Sequence, residues 1–279
     1  MKISVITINY NNREGLLKTV RSVVGQTIAP YEFIVIDGGS TDGSKDVLEE
    51  YQKYFSYCVS EPDKGIYNAM NKGIDKATGD WCHFLNSGDS FCHEKVMEQL
   101  ENAGVDADII VGNVRLLSNP PRLKKAPESV SLDYLYKNTI CHQGALIRTS
   151  ILKKYHYDEK YRIVADRKLF VQALILDGVS YASVDVDIAD YDVTGMSSMN
   201  RIPSEQEYRH VLEELIPARI RIDYGKRHEG ALYGMSSYEK LFLEIGKRKW
   251  KKPVECIVRC FLRVASIFFK SARFEREIK

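Results

Sequence analysis

In Phe33-Ile34-Val35-Ile36-Asp37-Gly38-Gly39-Ser40-Thr41-Asp42-Gly43, four apolar residues run straight into an aspartate and a glycine-rich turn. A run of this kind, short and bounded by turn residues, reads as a strand buried on both faces. The same alternation recurs on either side of it. Upstream lie a strand at Ser4–Ile8 and a helix at Arg13–Val24, with Leu16, Leu17, Val20, Val23 and Val24 at helical spacing. Downstream, the pattern predicts a helix over Ser44–Tyr54, a strand at Tyr57–Ser60, a helix over Ile66–Ala77 and a buried strand at Trp81–Leu85. A helix over Glu94–Asn102 and a strand at Asp108–Gly112 follow. Strands that alternate with helices in this way predict an α/β fold, a mostly parallel sheet flanked by helices.

The proline-rich stretch from Asn119-Pro120-Pro121 to Pro127 marks a boundary. Beyond it the pattern is mixed: a strand at Ala145–Arg148, helices over Ser150–Tyr155 and Asp166–Leu176, a strand at Ser183–Ala189, and helix from Ser204 onward. The chain has 279 residues, 44% hydrophobic and 28% charged, which excludes collagen-like, disordered and disulfide-scaffold classes. Its net charge of +2 is unevenly spread. From Lys247 to Lys279 there are 11 Lys and Arg against 3 Asp and Glu, so the body is mildly acidic and the tail strongly basic. Within that tail Val254, Ile257, Val258, Phe261, Leu262, Ala265, Phe268 and Phe269 form one stripe, and Arg259, Arg263, Ser266, Lys270 and Arg273 the opposite one.

The first residues, Met1 to Ile8, read as a strand rather than a leader, and no uninterrupted apolar stretch approaches the ~18 residues of a membrane span. The six cysteines show no framework spacing and are expected to be reduced thiols of the cytoplasm. Cys82-His83 and Cys92-His93 invite a zinc reading. Adjacent residues on a strand point to opposite faces, however, which argues against it.

In parallel α/β sheets, ligands bind beyond the carboxyl ends of the strands. Three polar clusters fall there: Asn9-Tyr10-Asn11-Asn12, Asp37 through Asp42, and Asn86-Ser87-Gly88-Asp89. Each aspartate alone would serve as a turn former or helix cap. Their recurrence at successive strand ends points to a site that accepts hydrogen bonds or holds a hard cation.

These segments resemble family 2 glycosyltransferases, through Thr7-Ile8-Asn9-Tyr10-Asn11, Ile34 to Gly43, Asn71-Lys72-Gly73-Ile74, Ala77-Thr78-Gly79-Asp80 and Phe84 to Asp89. The stretch Glu61-Pro62-Asp63-Lys64-Gly65-Ile66-Tyr67-Asn68-Ala69-Met70-Asn71-Lys72-Gly73, with Cys141-His142-Gln143 and Gly195-Met196-Ser197, is similar to a subgroup of colanic-acid and capsular-polysaccharide enzymes. The likeness covers roughly residues 1–200.

The resemblance implies a Rossmann-like GT-A fold and an inverting transfer of a hexosyl or N-acetylhexosaminyl group from a nucleotide sugar, UDP by family habit. It divides the chain into a nucleotide-sugar half (1–115), an acceptor and catalytic half (116–203) and a helical extension (204–279). By resemblance, Tyr10, Asp37, Asp63 and Lys64 bind the donor nucleotide. Asn86 and Asp89 stand where the family's Asp-x-Asp motif holds Mn2+ or Mg2+ against the diphosphate, with one carboxylate in the tetrad instead of several. Asp166, in Tyr161 to Phe170, aligns with the general base, although an Asp there also suits a helix N-terminus. His142 is assigned to the acceptor or the diphosphate.

The basic tail, residues 247–273, is expected to lie on the inner leaflet of the cell membrane, which suits a polyprenyl-diphosphate-linked acceptor. The protein is then peripheral and cytoplasmic-facing, with no nucleic-acid partner and a homo-oligomer left open. Two alternatives stand beside this reading: a non-catalytic nucleotide-sugar-binding assembly protein at the membrane, and a nucleotidyl or phosphoryl transferase. The second would need a glycine-rich basic loop where this chain has Asn9 to Asn12, and no Walker pattern occurs.

Overall fold

The computed structural model describes residues 1–193 and 201–227. Contacts divide the chain into one unit, Met1–Ile222, and a second, Asp223–Lys279, of which only the first five residues are described. Gly195-Met196-Ser197, the amphipathic stretch 254–269 and the membrane-facing segment 247–273 lie outside the described residues.

The first half is a run of βα units. Strand β1 (Ile3–Asn9) lies between β2 (Glu32–Asp37) and β4 (Trp81–Phe84), and β3 (Tyr57–Ser60) extends β2, all parallel. All seven residues of β1 are buried, and its polar members are paired inside the sheet: Thr7 Oγ1 donates to the Leu85 carbonyl at 2.8 Å and Asn9 Nδ2 to Asp37 Oδ1 at 2.7 Å. Helix α1 (Arg13–Val24) starts where the Asn12 side chain accepts the Gly15 N–H, and it buries Leu16, Thr19, Val20 and Val23. Together with α2 (Ser44–Glu50) and α4 (Val96–Asn102) it covers the face of Ile3, Val5, Phe33 and Val35.

Helix α3 (Ile66–Lys76) covers the other face, that of Ile6 and Ile36. A Cβ on Gly73 would stand 2.5 Å from Ile6 Cγ2, so the glycine sets how closely α3 approaches β1. Helix α2 ends sooner than its periodicity predicts. The chain tightens at Tyr51 into a 3-10 turn, Gln52–Tyr54, and this brings Phe55 edge-on to Phe33 at 5.2 Å.

Past β4 the sheet becomes mixed, in the order β3-β2-β1-β4-β8-β6-β9-β5. Strands β5 (Ser90–Phe91), β6 (Ile109–Leu116), β8 (Ala145–Arg148) and β9 (Tyr181–Tyr191) complete it, with β7 (Arg122–Lys124) beside β6. Helix α5 (Leu132–Lys137) begins at a Ser131 cap, and α6 (Thr149–Tyr155) follows β8. Helix α7 (Ala165–Phe170) continues as a wide π turn, Val171–Leu176. The helical continuation expected beyond Ser204 appears as α8 (Arg201–Leu215) and α9 (Ala218–Arg227).

Helix α8 grips the segment around α7. Glu207 accepts the N–H groups of Arg162 and Ile163, at 3.1 and 2.9 Å. The Tyr208 ring lies 3.3 Å beneath the Arg167 guanidinium. Lys168, buried, meets Asp158 at 2.7 Å and Glu214 at 2.8 Å.

Candidate active site

The polar segments at the ends of β1, β2 and β4 form one hydrogen-bonded edge. The Asn11 N–H donates to Ser40 Oγ and the Thr41 N–H to Asn11 Oδ1, at 2.8 and 2.9 Å, with Asn11 in the left-handed region at φ 46°. Asn12 Nδ2 donates to the Ser87 carbonyl at 3.1 Å.

Asp37, fully buried, organises this edge. Its Oδ1 accepts from Asn9 Nδ2 (2.7 Å) and Ser40 Oγ (2.5 Å), and its Oδ2 from the Ser40 N–H (2.9 Å) and Ser60 Oγ (2.6 Å). Burial opposes its ionisation, but the hydrogen bonds from Ser40, Ser60 and Asn9 outweigh it and hold the carboxyl below its ordinary value. Four donors use the carboxylate's acceptor sites in full.

Beside it the edge opens onto Tyr10, which is 66% exposed. The Tyr10 ring and the Asp63 carboxylate converge over Gly38: a Cβ there would lie 3.0 Å from the ring and 2.4 Å from Asp63 Oδ2. Only a glycine leaves that space open. Lys64 is exposed, its backbone N–H donating to Asn68 Oδ1 at 3.1 Å.

At the end of β4, Asp89 is buried. Its Oδ1 accepts the Asp192 N–H (2.9 Å) and its Oδ2 faces Gln143 Nε2 (3.3 Å). Burial pushes its carboxyl up to about 6 despite these contacts. Lys18 Nζ reaches the neighbouring Gly88 carbonyl at 2.7 Å, and the Asp192 side chain lies beside the same glycine. Asn86 Oδ1 is buried with no hydrogen-bond partner, while Asn86 Nδ2 stands 3.3 Å from His142 Nε2.

Across that imidazole is Asp166, in the first turn of α7. Its Oδ2 is 3.2 Å from His142 Nδ1, and its Oδ1 accepts the Arg167 N–H at 2.8 Å and lies 3.2 Å from the Tyr67 hydroxyl. Burial resists its ionisation, yet His142 and the Arg167 N–H outweigh burial and lower the carboxyl below its ordinary value. A partly buried, ionised carboxylate with a spare lone pair can take a proton from a hydroxyl.

The structure therefore brings Asn86, Asp89, His142 and Asp166 to one place and Tyr10 and Asp63 to the adjoining one. Lys64 is left on the rim, with its side chain making no described contact. Tyr67, Gln143, Lys18 and Asp192 were not assigned from the sequence, although Tyr67 and Gln143 fall inside motifs quoted for the resemblance. Among the described residues no three His, Cys, Asp or Glu side chains converge as a metal cluster, and no helix is long and apolar enough to cross a membrane. The cleft beneath α3 lined by Asn71, Asp75, His156, Asp158, Glu159 and Lys168 is internally paired and offers no such group.

An uncharacterized glycosyltransferase of Mycobacterium tuberculosis is 35% identical over 216 residues, 72% of this chain and 79% of its own length. TuaG of Bacillus subtilis, named for teichuronic acid biosynthesis, is 35% identical over 146 residues, 50% of this chain and 58% of its own. The structure of S. aureus TarS residues 1–349 in complex with UDP-GlcNAc superimposes with a TM-score of 0.67 at 16% identity, covering 91% of this chain and 78% of that one. Against the longer TarS chain the match spans 39% of its length. The fold of these neighbours is the GT-A type that the resemblance implies. The family model described as Glycosyl transferase family 2 matches residues 4–166, from the first strand to Asp166 itself, and the chain belongs to that family.

Proposed function

We propose that this protein is an inverting glycosyltransferase. It moves a hexose or N-acetylhexosamine from a UDP-sugar to a polyprenyl-diphosphate-linked oligosaccharide, in the assembly of a bacterial surface polysaccharide. The observation that carries this reading is the meeting of the Asn86–Asp89 edge with Asp166 across a single imidazole. It is supported by the UDP-GlcNAc complex of TarS and by the teichuronic acid assignment of TuaG.

In this reading the uracil rests on the exposed Tyr10 ring. Asp63, its Oδ2 turned toward the space over Gly38, accepts the base's N–H. Asp37 keeps the turn in place through Ser40 and Ser60, and Lys64 closes on the diphosphate from the rim. The acceptor hydroxyl attacks the anomeric carbon of the donor sugar, Asp166 takes the hydroxyl proton, and UDP leaves from the opposite face. One displacement inverts the centre.

Asn86 and Asp89 would hold Mn2+ or Mg2+. The orphaned Asn86 oxygen and a carboxylate destabilised by burial are the groups that a hard cation satisfies. When bound, that cation neutralises charge gathering on the departing diphosphate. The basic segment 247–273 would bring the enzyme to the anionic inner leaflet, where a lipid-linked acceptor resides.

Thermal unfolding of the wild type and D166N with UDP, GDP, CDP and dTDP, with and without Mn2+, alongside sugar transfer, tests the reading. UDP raises both midpoints, more so with Mn2+, while D166N loses transfer by roughly 100-fold or more. If no nucleotide shifts the wild type, the donor-site reading fails; if UDP shifts it but the wild type transfers no sugar, the non-catalytic assembly-protein reading replaces this one.

A further inference from the structure

Resting on that reading, we infer that His142 is a positioning residue serving two groups at once: it holds Asp166 for proton uptake, and it turns the Asn86 amide so that its oxygen faces the donor.

The inference follows from hydrogen accounting. Asn86 Nδ2 can only donate, so His142 Nε2, 3.3 Å away, must accept. The ring proton is then on Nδ1, 3.2 Å from Asp166 Oδ2, and an ionised carboxylate can only accept. Both ends of the ring thus require the same tautomer, and the donors run in one direction from Asn86 through His142 to Asp166.

On the Asn86 side the amide nitrogen is committed to the imidazole, and Oδ1 is left buried with no protein partner. A carbonyl oxygen held that way is costly unless something donates to it or coordinates it. It is a neutral hard oxygen in the position where an aspartate would otherwise supply a charged one. Without the imidazole the amide has no reason to prefer that orientation.

On the Asp166 side, the Tyr67 hydroxyl has one proton and two acceptors, the Ile163 carbonyl at 2.7 Å and Asp166 Oδ1 at 3.2 Å. The shorter contact takes the proton. Among the described residues His142 is therefore the side chain whose proton is committed to Asp166.

Two substitutions separate the roles because each amide reproduces one ring nitrogen. In H142N the amide nitrogen stands in for Nδ1, keeping the bond to Asp166 and losing the one to Asn86. In H142Q the longer side chain reaches Asn86 in place of Nε2 and abandons Asp166. Free Mn2+ is followed by electron paramagnetic resonance during titration in saturating UDP, with kcat and KM for transfer and the unfolding midpoint measured in parallel. H142N weakens Mn2+ binding roughly tenfold with the smaller loss of kcat at saturating Mn2+, and H142Q lowers kcat roughly tenfold or more with the smaller loss of Mn2+ affinity. N86D in the H142N background, with a carboxylate in either orientation, restores Mn2+ affinity.

Wild-type affinities and kcat in both variants overturn the inference while leaving the proposed function standing. Losses of both quantities together, in step with a lowered unfolding midpoint, reduce His142 to a structural part and also overturn it. UDP binding that is indifferent to Mn2+ in the wild type overturns the Asn86 half. Failure of the wild type to bind UDP counts against the proposed function itself.

Discussion

At the residue scale, His83 shows how burial writes a pH dependence into stability. It sits on β4 with Nδ1 facing the Ala145 carbonyl at 3.1 Å, its ring stacked on Phe91 and its Nε2 without a partner. Burial lowers it from the ordinary 6.5 to about 4. Between those two values the unfolded chain holds a proton that the folded one refuses, so stability falls as pH drops through that window, by about 3 kcal/mol at most. Below pH ~4 this contribution is spent. Asp89, raised to about 6, opposes this slope between pH 6 and 4, so the His83 share is read by difference: in denaturant unfolding from pH 7.5 to 4, the stability of the wild type should fall relative to that of His83→Phe. Asp37, held below its own ordinary value of 3.8, loses its contribution only at lower pH, so the two effects separate along the titration. Tyr10, Asp63, Asn86 and Asp89 past strand ends, and Asp166 in the first turn of α7, all sit inside local sequence motifs. Tyr67 could not be given its place because it meets Asp166 from 99 positions away, a distance over which hydrogen bonding leaves no periodic trace.

At the element scale, the tightest constraint is the seat of α3 on β1. Gly73→Ala gains helix propensity of about 1 kcal/mol but drives a methyl into Ile6 Cγ2, at a cost of roughly 1–3 kcal/mol. A net loss of stability is expected. In an Ile6→Ala background, which removes the obstructing methyl, the same change should become neutral or stabilising, and equilibrium unfolding of the four proteins measures that coupling. Helix α1 and strands β3 and β8 match their sequence readings residue for residue, α1 through its apolar period and β8 through its buried run. Strands β5 and β7, with two and three residues, are too short to show any period. The sequence predicts one regular helix over Asp166–Leu176, since a widened turn such as Val171–Leu176 keeps an apolar pattern close to that of an α-helix.

At the scale of the whole molecule, charge is segregated: residues from Lys247 onward carry the basic excess and the rest is acidic. Full-length protein should therefore sediment with vesicles containing anionic phospholipid and be released by salt, and a truncation before Lys247 should remain in the supernatant. Equal sedimentation of the two would remove the membrane role of the tail. The grip of α8 on α7 carries a different lesson, for anyone recombining relatives of this enzyme. Glu207 clamps the backbone of Arg162 and Ile163 from 44 to 45 positions downstream, and Tyr208 and Glu214 fasten Arg167 and Lys168. The boundary of the family match at residue 166 is therefore a poor place to join two parents. A graft ending there would inherit the loop before α7 from one parent and its clasp from another. Crossovers placed after Leu215 keep loop and clasp of common descent, and specificity exchanges in such hybrids should be designed around that junction.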